Sequence, residues 1–106
     1  NNLESGIQTI SRDYPLSQIN LVSILPVNEE ENFKQTVYIR TNEKIKAWNQ
    51  AYQDLASSYM QVEFVPVFEN LLDQKGQLKS DFTTDGLHLS VSGYQALSST
   101  LKKYIF

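Results

Sequence analysis

Of the side chains that can move a proton near neutral pH, this sequence offers a single imidazole, His88. It stands three residues after a carboxylate in the string Thr84-Asp85-Gly86-Leu87-His88-Leu89-Ser90. In a tight turn relaxed by Gly86 the two side chains can meet, and Asp85 can accept a hydrogen bond from one imidazole nitrogen. Such a bond fixes the tautomer. It also stabilises the imidazolium that forms when the other nitrogen takes a proton from a hydroxyl nucleophile. Such a pair would be two-thirds of a Ser-His-Asp triad. The same string also reads as ordinary loop chemistry, an Asp-Gly turn leading into a helix capped by Ser90, so its surroundings must decide.

The rest of the composition narrows the chemistry. The chain has 106 residues, 41% hydrophobic and 20% charged, which is the balance of a globular protein. Its net charge is −3, and no stretch gathers enough Lys and Arg to neutralise several phosphates, so nucleic acid is not an expected partner. There is no cysteine and one histidine, which excludes disulfides and thiolate chemistry and argues against a zinc site. No apolar run approaches the roughly 20 residues of a spanning helix. The run Glu29-Glu30-Glu31 reads as a solvated loop rather than a metal site.

Elements must bring Asp85 and His88 into place, and the sequence alternates them. Ile7, Ile10 and Tyr14 keep helical spacing until Pro15 stops it. Ile19 to Leu25 is nearly continuous and β-branched, ended by Pro26, which is how a strand buried on both faces reads. Thr41 or Asn42 can cap a helix bearing Ile45, Trp48, Tyr52, Leu55, Ala56 and Tyr59. Its aromatic stripe of Trp48, Tyr52 and Tyr59 reads as core or interface. Val62 to Phe68 reads as a second strand limited by Pro66, and Leu71 and Leu72 as a short helical turn. After the Asp85 turn, Ser90 opens a helix with Val91, Tyr94, Leu97, Leu101 and Tyr104 or Ile105 on one face. Tyr94 is expected to pack beneath the turn, while Asp81 faces solvent.

This helix-strand alternation implies a parallel sheet covered by helices, with ligands at the carboxyl ends of the strands. Two strands cannot bury three amphipathic helices, so the chain reads as part of a larger α/β domain.

The string Phe82 to Ser90 with Gly93-Tyr94 resembles the last sequence block of the SGNH (GDSL-type) hydrolases. Ser23-Ile24-Leu25-Pro26-Val27-Asn28 is similar to the family's fourth-strand segment, and Asn42 to Ile45 with Trp48-Asn49 to the helix after it. The resemblance implies a flavodoxin-like three-layer α/β/α sandwich with a parallel sheet. Residues 1–106 would be the C-terminal portion of that single domain. It implies Asp85 and His88 as acid and base of an esterase or acylhydrolase working through an acyl-serine intermediate on a small acyl or acetyl ester, without cofactor.

The family's GDS-type serine and GxND motif have no counterpart among these residues. Ser23 sits within a buried strand and is not assigned their role. The expectation is a chain inactive alone, completed by the N-terminal part of its domain or by another copy covering the open sheet edge. The alternative is a degenerate hydrolase fold kept as a non-catalytic binding or assembly module.

Overall fold

A computed structural model describes residues 2–105, with the side chain of Ile105 outside the described set. Helix α1 (Asn2–Asp13) precedes strand β1 (Ile19–Val22). A 3-10 turn, Glu31–Phe33, runs into the one-turn helix α2 (Lys34–Val37), and helix α3 (Asn42–Ser57) leads to strand β2 (Val62–Val65). Two further 3-10 turns, Glu69–Leu71 and Ser80–Phe82, come before helix α4 (Val91–Ile105). β1 and β2 pair in parallel, Ile19 opposite Val62 through Val22 opposite Val65.

Both strands stop short of the expected Leu25 and Phe68, and the reason is chemical. Ser23 N–H still donates to the Val65 carbonyl at 3.0 Å, but from Ile24 the main chain finds side-chain partners instead of a strand. Asn49 accepts from Ile24 N–H at 2.6 Å and donates to its carbonyl at 3.0 Å. Asn42 does the same for Val27, at 2.8 and 2.7 Å. On β2, Pro66 has no N–H to give. The next two N–H groups, of Val67 and Phe68, donate to Ser23 Oγ at 3.0 and 3.2 Å.

Thr41 caps α3, its side chain accepting from Lys44 N–H at 3.2 Å. The buried face of that helix carries Asn42, Ile45, Asn49 and Ala56. The expected aromatic stripe is only partly inward: Tyr59, past the end of α3, packs against the core, whereas Trp48 is 54% exposed. In the acidic stretch Glu30 and Glu31 are exposed, and beyond it Phe33 and Val37 turn inward to a core cluster.

Two apolar clusters result. Ile7, Ala56 and Val62 gather Leu3, Ile19, Leu21, Leu55, Tyr59 and Phe64 around them, joining α1 and α3 to the sheet. Val27, Val37, Ile45 and Phe68 form the other at the carboxyl ends of the strands, with Ile24, Phe33, Leu72 and Leu87 packed on it. That second cluster reaches the Asp85 turn directly, through Leu87.

Helix α4 lies against the Glu69–Leu71 and Ser80–Phe82 turns. Ser90 caps it as expected, its Oγ accepting from Gly93 N–H at 3.2 Å. Gly93 permits the close approach, since a Cβ there would collide with the Phe82 carbonyl oxygen. The expected apolar face is turned: Val91, Tyr94 and Tyr104 are exposed, Leu97 and Leu101 half-buried, and among the described side chains of α4 Gly93 and Thr100 are the buried positions, Ile105 lying outside that set.

Among the described residues the outer edge of each strand pairs with no other strand. The radius of gyration is 15.1 Å, against about 13 Å for a compact domain of this length. The shape is elongated and flat, with principal extents of 46 × 28 × 19 Å.

Candidate active site

Asp85 and His88 meet. The imidazole Nδ1 lies 2.6 Å from Asp85 Oδ2. The other carboxylate oxygen, Oδ1, accepts the N–H groups of Leu87 at 2.9 Å and His88 at 2.7 Å. One oxygen is thus tied to the turn's own backbone while its twin is aimed at the ring. A hydrogen on Nδ1 satisfies that bond, leaving Nε2 as the nitrogen able to take a proton. The His88 hydrogen bond, followed by those two N–H groups, holds the Asp85 carboxyl well below the usual carboxylate range. The His88 side chain is 73% exposed and that of Asp85 32%, so the pair stands at an open surface.

Several segments hold the turn. Gly86 takes φ +85°, open to glycine and strained for any other residue, with Phe33 directly against it. The Gly86 carbonyl accepts from Asn28 N–H at 2.8 Å. Asn28 is fully buried, donating from Nδ2 to the Leu78 carbonyl at 2.8 Å and accepting Glu30 N–H at 3.0 Å. Thr83 Oγ1 donates to the His88 carbonyl at 2.6 Å and accepts Gly86 N–H at 2.9 Å. An antiparallel bridge between Thr83 and Leu89 frames the whole loop.

Neighbouring side chains have other tasks. Ser23 Oγ is occupied by the two N–H groups after Pro66, a structural role. Ser90 Oγ donates to the Asp81 carbonyl at 2.9 Å besides capping α4. Asp81 is exposed, and it is Asp85 that meets His88. Tyr94, expected under the turn, is instead 61% exposed, because Gly93 occupies the inward position at the start of α4.

Four polar residues that build this end of the sheet were not legible as such: Asn28, Asn42, Asn49 and Thr83. One signal was available for two of them. Asn42, Ile45, Asn49, Tyr52 and Ala56 repeat at intervals of three and four, so two amides stand seven apart within an apolar stripe. Buried amides require partners, and the nearest unpaired backbone is the exit of β1.

Residues 1–96 match the model of a family described as the GDSL-like Lipase/Acylhydrolase family. A solved structure from Streptococcus pneumonia, described as a candidate platelet activating factor, is 69% identical with a TM-score of 0.96. The match covers 100% of this chain and 50% of that one. A candidate acylhydrolase from Bacteroides fragilis is 17% identical with a TM-score of 0.75, over 96% of this chain and 47% of its own. A GDSL-like lipase from Bacteroides thetaiotaomicron is 19% identical with a TM-score of 0.67, over 94% and 49%. These last two likenesses extend the α/β fold with its parallel sheet across low identity. The chain spans about half the length of each of these structures. No curated protein matches it.

Proposed function

Because this chain belongs to the GDSL-like lipase/acylhydrolase family, we propose that it carries the acid and base of a serine-dependent esterase. Residues 1–106 are then the C-terminal portion of a single hydrolase domain, and the nucleophile and oxyanion donors come from its N-terminal portion. The observation that carries this reading is the 2.6 Å bond from Asp85 to His88 Nδ1, made by a carboxylate whose other oxygen is fixed to backbone. Such an arrangement aims Nε2 outward as a general base.

In the reaction, His88 Nε2 takes the serine hydroxyl proton as the oxygen attacks the ester carbonyl. Asp85 holds the ring and stabilises the imidazolium. His88 then protonates the departing alkoxide, giving an acyl-serine. It next draws a proton from water as the water oxygen attacks the acyl carbon, and returns that proton to the serine oxygen as the acyl–oxygen bond breaks and the acid is freed. No step calls on a metal or organic cofactor. The substrate class is a small acyl or acetyl ester, and its cleft needs walls that an exposed His88 lacks here.

The test is assembly. This chain is co-expressed with the N-terminal half of the 69% identical pneumococcal protein and assayed with an activated acetate ester and a fluorophosphonate probe. Turnover and labelling are expected for the pair, not for this chain alone, and both should vanish with His88→Ala. A folded complex with no turnover overturns the reading in favour of a non-catalytic module, and turnover indifferent to His88→Ala overturns the role given to His88.

A further inference from the structure

Three consecutive amides, those of Gly86, Leu87 and His88, line the inside of the Asp85 turn, and all three are bonded to side chains of the turn itself. Asp85 Oδ1 takes the last two. Thr83 Oγ1 takes the first at 2.9 Å and passes its own hydrogen to the His88 carbonyl at 2.6 Å. That single hydroxyl therefore grips the peptide immediately after Asp85 and the carbonyl of His88 at once. Thr83 and Gly86 are both buried, so water does not readily replace the bond between them.

We propose that Thr83 is a positioning residue for the Asp85–His88 pair: its hydroxyl closes the turn and aims the carboxylate at Nδ1. This rests on the esterase reading above. Without the hydroxyl, the Gly86 N–H and the His88 carbonyl each lose this bond. The peptide after Asp85 can then rotate and carry Oδ2 off the imidazole. The frame outside the hydroxyl does not depend on it. The Thr83–Leu89 bridge is main-chain, and Ser90 N–H donates to the Phe82 carbonyl at 2.8 Å. Valine has nearly the shape of threonine, so Thr83→Val removes two hydrogen bonds while leaving that frame.

The experiment uses the assembled protein, with this chain labelled with nitrogen-15. His88 is its only histidine, so the two ring-nitrogen signals report one imidazole. Thr83→Val is expected to lower kcat about 100-fold with little change in KM, as for a displacement of roughly 1 Å at the reacting groups. The Nδ1–H tautomer should lose its dominance in the same variant. Thr83→Ser, which keeps the hydroxyl, should restore both. Wild-type kinetics and an unchanged tautomer in Thr83→Val overturn the proposal. If neither Thr83→Val nor Thr83→Ala assembles while Thr83→Ser does, the proposal is also overturned, because the fold and not the pair needs the hydroxyl. Should the unsubstituted protein prove inactive, the esterase reading fails, and the ring-nitrogen spectra still decide what Thr83 does.

Discussion

Gly86 lies directly against Phe33: a Cβ added to the glycine would stand 2.5 Å from the Phe33 Cβ and 2.7 Å from its Cγ. The Asn28 carbonyl oxygen would be 3.0 Å away, and φ is +85°. Space and backbone therefore both demand glycine between Asp85 and His88. Gly86→Ala should cost about 2–4 kcal/mol, from left-handed strain plus overpacking. Adding Phe33→Ala should not bring stability back to that of the parent, since the φ penalty remains and a cavity replaces the clash. Urea midpoints of the two variants and the parent give the comparison. A Gly86→Ala protein as stable as the parent would contradict this geometry.

Strain at Tyr38 makes the opposite prediction. Val37 to Arg40 form a turn closed by Arg40 N–H on the Val37 carbonyl at 3.0 Å. Its first central residue, Tyr38, has φ 55° and ψ −113°, the type II′ position that suits glycine. The ring gains little in return, being exposed. Tyr38→Gly should raise stability by about 1 kcal/mol, visible as an increase in Tm. A decrease in Tm would mean that Tyr38 makes a contact in the assembled protein that outweighs its backbone.

The Asp85–His88 contact was readable from the sequence because spacing and a glycine between them suffice to specify a turn, and the helix-strand order was readable because periodicity encodes it. The strand ends were not. Ile24, Leu25 and Val27 have strand-forming side chains, yet their backbone leaves the sheet because Asn49, 25 residues after Ile24, and Asn42, 15 after Val27, offer better-placed partners. Which face of α4 turns inward was equally hidden. Gly93 and Thr100 win it over Tyr94 and Val91 because α4 rests on the Phe82 carbonyl, and only a residue without a Cβ fits there.

The asparagine pair can be tested separately from the catalytic reading. Asn49→Leu keeps the volume approximately but strands the N–H and carbonyl of Ile24, so a loss of about 2–3 kcal/mol is expected. Gln50, the next residue, is exposed and its side chain donates to Asp54 at 3.0 Å on the surface of α3, so Gln50→Ala should change stability by less than about 0.5 kcal/mol. Equal effects from the two substitutions in chemical denaturation would show that the Asn49 bonds contribute nothing to the exit of β1.

Acid should release what Asp85 contributes. Its carboxyl titrates below the ordinary range in the folded protein because His88, and then the His88 and Leu87 N–H groups, hydrogen-bond the charged form. The unfolded chain therefore binds the proton first. A depressed folded-state value adds stability that is complete above the ordinary aspartate range, shrinks as pH falls through it, and is gone once the folded carboxyl is protonated too. Asp85→Asn keeps the shape and an acceptor oxygen but has no charge to lose. The Tm of wild type should thus exceed that of Asp85→Asn near neutrality, with the gap narrowing below about pH 4. Because the contact stands at an open surface, salt and water screen it, and the gap should be modest throughout. In activity, no inflection from Asp85 should appear in the ordinary carboxylate range, since the group stays charged there. A Tm gap that is constant from neutrality into strong acid would show that Asp85 titrates alike in both states, and with it that the carboxylate is not held as the 2.6 Å contact implies.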